Sequence, residues 1–438
     1  MKKIGKFLTG SIALISALST ISFQTVAAQE PIEITFPSYK TGQNVGAPLF
    51  LGQIERFNAQ HEGQYKINVE EIPQDAYGEQ MKQLALQNDL PPIVHAAGSG
   101  SVDIQWFNDV VVENNLYYDL SGWLGEHPEF TDIMIDEVEE FVTTEDGAVH
   151  SVPDYRVRPP FLYYNSTMYS PETPIREMTL DEFKESLGDN KIAFMTGENA
   201  WTTGIFWSAI IANEEGGAEL LSSYSNGELT DLTDPIFVSS IETLKTFIIE
   251  HGTDNTLGAI YADAANAFMS KNAAFIANGP WMTGDFAEGS EDKWDNDFNG
   301  ADVKGDYFPG NIGIASYEIY GDWISASASE EEVELALAWF EFLLSPEEIE
   351  INILAEGGQT PNYEPTEEFN AALAEQTILF EIQEATSDEI VYVPNILDLL
   401  PASVSGNDLA RFLPQLITED LTAEEFAQEL TNAAQAAQ

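Results

Sequence analysis

Between Ile32 and Ile72 the hydrophobic period changes from two to helical and back to two, which already points to a parallel sheet. In IEITFPSYKTG, Ile32, Ile34 and Phe36 fall two apart, as in a half-buried strand ending at Pro37. LFLGQIERFNAQ then places Phe50, Ile54 and Phe57 on one helical face, and YKINVEEI alternates again at Tyr65, Ile67 and Val69. Strand, helix, strand is the order of a βαβ unit. The same grammar continues with a helix from Tyr77 to Gln87, a strand in PPIVHAAG and a helix-rich run to Leu124. A strand at Phe161 to Tyr164 and a helix beginning in MTLDEFKESLG come next. Two later helices announce their starts with capping boxes, Ser329 with Glu332 and Thr422 with Glu425. No solenoid-type repeat and no long linker interrupts the chain, so lobes must be joined by short crossings.

The first 28 residues read as an export signal, with Lys2, Lys3 and Lys6 ahead of an apolar stretch and small residues at Val26-Ala27-Ala28; cleavage is expected after Ala28. The apolar stretch is broken by Gly10, Ser11, Ser16, Ser19 and Thr20 and is too polar to persist as a span. The chain has no cysteine, hence no disulfide and no lipid-modified junction, which favours a periplasm. Against 74 acids stand 17 lysines and arginines, a formal net charge of -57 that excludes ordinary nucleic-acid binding. The acids are spread among periodic apolar segments, and 44% of residues are hydrophobic, so this is a folded protein with a charged surface. Such a surface repels itself at low salt and is screened in brine, which implies a salt-loving source.

Catalytic patterns are missing. The five histidines show no metal-ligand spacing, and there is no Walker loop, no GxSxG elbow and no cysteine nucleophile. Acid pairs are too abundant for any two to stand out as acid and base. DNDFNGADVKGD sets Asp295, Asp297, Asn299 and Asp306 at calcium-loop positions, although Asp306 replaces the usual bidentate Glu; a calcium loop competes here with a solvated one. No other cofactor is expected. Trp201, Trp281 and Trp323 lie beside glycines, prolines and loop breaks, where flat rings suit stacking on sugar faces. Trp106, Trp207 and Trp339, on helical faces, read as core.

AANAFMSKNAAFIANGPWMTGDF, residues 264–286, resembles the signature of extracellular solute-binding proteins of carbohydrate ABC importers, the maltose-binding-protein class. YYNSTMY followed by TLDEF, FWSAIIANEEGG, AWFEFLLSPE and GGQTPNY resemble further elements of that family in matching order, across nearly the whole chain after residue 28. The resemblance implies a two-lobed α/β fold, each lobe a mainly parallel sheet flanked by helices, with the ligand in the cleft at the hinge. It implies an N-terminal lobe of 29–150 with about 302–345 and a C-terminal lobe of about 151–301 with 346–438. It also implies an oligosaccharide ligand, lobe closure upon it, and delivery to the membrane permease subunits of an ABC transporter, with no enzymatic step. A monomer without stable membrane insertion is expected.

The family's NGPW element makes Trp281 a stacking residue, and VYVPNILDLLP resembles a late cleft-lining segment, which adds Tyr392 and Asn395. In DYRVRPPF, Arg158 falls where family members present an acid to neutral hydroxyls. Arg156 and Arg158, with Tyr155, Glu198 and Lys40, are therefore polar candidates, and the reversed sign suggests a uronate-containing oligosaccharide. The alternative for the arginines is pairing with acids of the chain to hold the hinge. A neutral-oligosaccharide receptor, a secreted polysaccharide-degrading enzyme and a polyamine or ferric-iron receptor remain the other readings.

Overall fold

Strand β1 (Ile32–Ser38) runs parallel to β2 (Tyr65–Glu71), with Ile34 opposite Ile67 and Phe36 opposite Val69. The helix Ala47–Gln60 between them buries Phe50, Ile54 and Phe57, the three residues its period selects. This is the βαβ unit expected from period alone. In the computed structural model, residues 31–437 are described except 43, 45, 99–100, 135–138, 140–141, 145, 153–157, 225–226, 287–297, 316–320, 359–362, 376–377, 379–380, 382–384, 386–388 and 402. The stretch expected to be an export signal, 1–28, lies outside the described residues.

Later ladders are mixed instead of mainly parallel. Strand β3 (Ile93–Val94) pairs antiparallel with β8 (Trp323–Ile324). Strand β4 (Phe161–Asn165) lies between β5 (Phe275–Asn278) and β6 (Val303–Asp306), antiparallel to both, while β7 (Ile312–Ala315) runs parallel to β9 (Val391–Pro394). Period-two alternation fixes which face a strand buries and says nothing of its direction.

Buried side chains among the described residues fall into four clusters. Two draw on residues from Ile34 to Val149 and from Trp323 to Phe369, and two draw on residues from Phe161 to Ile314 and from Ile378 to Ala434. The expected return segments therefore need shifting. Val303, Tyr307, Phe308 and Ile314 pack in the C-terminal lobe, whose sheets take up β6 and β7, whereas Ile349, Ile353 and Phe369 pack in the N-terminal lobe. Capping signals mark where a helix starts without saying which lobe covers it.

The helix Trp201–Asn213 is buried on every side from Thr202 to Ala212, and Trp207 Nε1 donates to Ser240 Oγ at 2.9 Å. Trp207 and Trp339 are core residues and Trp106 is half-buried. Among the described residues no helix is long and apolar enough to cross a membrane.

One ion pair ties two helices of the N-terminal lobe. Arg56 approaches the buried Glu348 through Nε and Nη2, at 2.5 and 2.7 Å, with Arg56 itself 38% exposed. Arg56→Ala strands a buried carboxylate and should cost about 3–5 kcal/mol, whereas Glu348→Ala leaves an arginine that reaches water and should cost less. Urea unfolding of both variants checks the asymmetry; equal losses would show that the carboxylate is not the desolvated partner.

Candidate ligand site

Trp201 opens its helix and is held half-buried by the loop ahead of it. Thr196 and Gly197 donate their N–H groups to Ala259 O at 3.0 and 2.8 Å, and Tyr261 N donates to Glu198 Oε2 at 3.1 Å. These bonds strap 196–200 to 256–261 and force left-handed backbone on two non-glycine residues, Glu198 (φ 51°) and Ala200 (φ 54°). Each such residue costs roughly 1–2 kcal/mol. The result is a cluster of three rings: Trp201 stacks on Tyr261 at 5.3 Å and 30°, and stands 6.0 Å from Trp281 at 49°.

Trp281 owes its place to the turn before it. A Cβ on Gly279 would lie 2.2 Å from the indole Cη2, so only glycine lets the ring fold back over the turn. Tyr163 donates its hydroxyl to Gly279 O at 3.1 Å from beneath. Gly279→Ala should therefore displace the indole and weaken ligand binding about as much as Trp281→Ala does. Calorimetry on the two variants side by side checks this, and wild-type affinity in Gly279→Ala would show that the ring's placement is immaterial.

Asn278 Nδ2 donates to the Tyr261 hydroxyl at 3.2 Å, and the hydroxyl's own proton has no acceptor among the described residues. Burial pushes this phenol up to about 12, so it remains a neutral donor throughout the physiological range. Two indoles and a phenol form an apolar wall edged with a hydroxyl, the composition that grips a pyranose, and the fully buried Asn278 amide, which also accepts from Gly279 N at 2.8 Å, supports it from behind.

Other sequence candidates fare differently. Trp323 is fully buried on β8 and packs edge-on against Phe107 at 5.4 Å, so it belongs to the core and offers no stacking face. Pairing with β3 overrides the glycine-flanked look of its sequence. Asn395 is buried and caps the helix Ile396–Leu399, its Oδ1 accepting from Leu397 N at 3.2 Å and Ser208 Oγ at 3.3 Å. Its carbonyl is committed to the fold. Tyr392 is 38% exposed on β9, and its hydroxyl bonds that of Tyr307 at 3.0 Å.

Arg158 is buried and its Nη1 donates to Glu356 Oε2 at 2.9 Å. Glu356 ends the helix Pro346–Glu356, which packs in the N-terminal core. An acid of the chain thus meets the charge that pointed to a uronate. Tyr155 and Arg156 lie outside the described residues. Lys40, half-buried after β1, and Glu356 both border Gly46.

The calcium loop is not assembled by its described members. Asn299 caps a short turn by accepting from Ala301 N at 3.1 Å, and Asp306 sits on β6 paired with Arg176 at 3.0 Å. A carboxylate neutralised inside a sheet is not a twelfth ligand. Asp295 and Asp297 lie outside the described residues, and among the described residues no cluster of three His, Asp or Glu could hold a metal ion.

Sequence reasoning missed Tyr261, Asn278 and Glu356. Asn278 and Gly279 belong to the same NGPW element as Trp281, whereas Glu356 is 198 positions from its arginine and left no local trace.

A family model described as bacterial extracellular solute-binding protein matches residues 52–374. No curated protein matches the chain in sequence. Among solved structures, a chitin oligosaccharide binding protein is similar at TM-score 0.69 and 16% identity over 93% of this chain and 99% of that one. A Streptococcus pneumoniae solute-binding protein in complex with the blood group A-trisaccharide reaches 0.70 and 17% over 93% and 100%. Maltose-bound T. maritima MalE3 reaches 0.66 and 13% over 92% and 99%. These likenesses establish the two-lobed α/β fold. With the family model spanning most of its length, the chain belongs to the bacterial extracellular solute-binding proteins, which hold a solute without transforming it.

Proposed function

We propose that the protein captures a neutral oligosaccharide in the cleft between its lobes and delivers it, by lobe closure, to the permease subunits of an ABC importer. The observation that carries the reading is the ring cluster of Trp201, Tyr261 and Trp281. Solved structures of the same fold whose titles name chitin oligosaccharide, blood group A-trisaccharide, raffinose and maltose support a sugar as the solute. A ligand that touches both lobes favours the closed form by its differential affinity. The protein acts as an exported monomer, in keeping with the signal-like pattern of its first 28 residues and with the mutual repulsion of so many acids.

A uronate is the less favoured ligand because Arg158, whose charge suggested it, is matched by Glu356, and Lys40 stands in the field of the Asp322 carboxylate. The test is a calorimetric titration of the full chain in about 1 M salt, where the Debye length is ~3 Å. Chitotriose, xylotriose, raffinose, maltose and trigalacturonate serve as ligands. Saturable one-to-one binding of a neutral sugar without release of reducing ends is the expected result. Binding of trigalacturonate alone would return the charge to the ligand, and accumulating reducing ends would make the protein an enzyme.

A further inference from the structure

Three strand ends meet at one edge of the N-terminal lobe. Strand β1 finishes at Ser38, β3 finishes just before His95, and β8, which pairs Val94 with Trp323, begins just after Asp322. The ends of parallel strands are where open α/β sheets place their ligands. Val152 packs against the N-terminal lobe's core and Phe161 packs in the C-terminal lobe, while Ile314 packs in the C-terminal lobe and Trp323 in the N-terminal one. Val152 donates its N–H to Asp322 O at 3.1 Å. The edge thus lies where the chain passes between lobes.

Here Ser38 Oγ and His95 Nε2 share a hydrogen bond of 2.8 Å, and His95 Nδ1 lies 3.3 Å from Asp322 Oδ1. The ionised carboxylate has no proton to give, so Nδ1 donates to it and the tautomer of the neutral ring is fixed. Phe36 at 4.6 Å and Phe50, Tyr39 and Tyr77 within 5.7 Å enclose the imidazole. The backbone N–H of His95 donates to the Tyr77 hydroxyl at 3.0 Å. Serine, histidine and aspartate in this order resemble a nucleophilic triad, but Ser38 is fully buried and accepts from Lys40 N at 3.0 Å, so no substrate reaches its oxygen.

What the relay does accomplish is to hold Asp322. Its Oδ1 takes both available donors, His95 Nδ1 and Ala96 N at 3.0 Å, while Oδ2 accepts no hydrogen bond among the described residues and the side chain is one-fifth exposed. Lys40 Nζ makes no ion pair or hydrogen bond among the described residues, yet its charge acts on Asp322. Lys40 lies two residues beyond the end of β1 and its N–H donates to Ser38 Oγ, while Asp322 immediately precedes β8, so a donor and an acceptor stand open at the same strand-end edge.

We propose that Asp322 and Lys40 form a polar arm of the sugar site that reads two neighbouring hydroxyls, with His95 as the positioning residue for Asp322. The proposal rests on the oligosaccharide reading and names the opposite lobe's share of the same site. A hydroxyl donating to Oδ2 and a second accepting from Nζ complete the two groups that the fold leaves open.

Burial works to raise the Asp322 carboxyl, but His95, Lys40 and the Ala96 N–H together hold it below its usual range. The other groups that face this trio are Tyr39 beside Lys40, Tyr77 of the helix Gln74–Gln87, and Glu356 across Gly46. Without His95 the burial effect gains weight, so the carboxylate takes up its proton at a higher pH and ligand affinity fades earlier on acidification.

The experiment is calorimetry on the full chain with the tightest neutral sugar of the panel above, for wild type, Asp322→Asn, Lys40→Met, His95→Gln and Trp281→Ala. Asp322→Asn and Lys40→Met should each weaken binding about 10- to 100-fold, as loss of a hydrogen bond to a charged group does. His95→Gln should move the acid limb of the affinity-against-pH curve upward. Lys40 is half-buried, so its variant keeps the test open even if Asp322→Asn fails to fold. Full affinity in Lys40→Met and in a folded Asp322→Asn, with affinity lost in Trp281→Ala, would overturn the polar arm and leave the sugar reading intact. A wild-type pH curve in His95→Gln would overturn the positioning role, and a wild type that binds no sugar would overturn both readings.

Discussion

Trp281→Ala is expected to weaken oligosaccharide binding by about 150- to 900-fold. A pyranose face laid on an indole removes on the order of 100 Å² of apolar surface from water, worth about 2.5 kcal/mol, and the directed contact with the ring adds about 0.5–1.5 kcal/mol. Trp201→Ala should lose nearly as much, because it removes a second face and also the ring on which Tyr261 stacks at 5.3 Å. Both indoles are only half-buried, so melting temperatures should stay within a few degrees of wild type. Calorimetric titration and a thermal scan read the two effects separately. Wild-type affinity in both variants would remove the ring cluster from the ligand site.

Lowering the salt should destabilise the protein more than any single substitution. With a net charge of -57, most acids have no cation to meet. At about 0.01 M salt the Debye length is ~30 Å, so the carboxylates of a whole lobe repel one another; at about 1 M it is ~3 Å and only contacts remain. A fall in melting temperature of roughly 10–20 °C between these limits is expected, corresponding to several kcal/mol. Buried pairs such as Arg158 with Glu356 are screened least and should persist through the series. Scanning calorimetry at three salt concentrations measures it, and a melting temperature that ignores salt would argue against a saline habitat.

Local signals were read well where one element decides the outcome. The period of residues 32–71 gave the first parallel ladder, and the capping boxes of Ser329 and Thr422 mark helix starts as expected. Sequence and structure part where a distant segment decides. Trp323 looks like a loop tryptophan until β3 covers it, Asn395 looks like a ligand group until it caps a helix, and Arg158 looks unmatched until Glu356 arrives from the far end of the chain. The same limit hid Asp322, whose meaning depends on a histidine 227 positions earlier. Of the ring cluster, two tryptophans were legible beside their turns, and Tyr261 was not, because stacking partners are set by how two loops are strapped together.

The interleaving of the two lobes also sets an order of assembly. The C-terminal lobe closes when β7 meets β9, across the interval from Ile312 to Val391, whereas the N-terminal lobe must wait for Ile324 to reach Ile93. The longer ring is about three times the size of the shorter and costs about 1 kcal/mol more to close. Contacts this remote in sequence slow folding. A chain emerging from its N-terminal end therefore presents the stretch from Phe161 to Ala315, most of its second lobe, before Ile324 can reach Ile93 in the first, and until then β3 waits with an unpaired edge held apart from its neighbours chiefly by their negative charge.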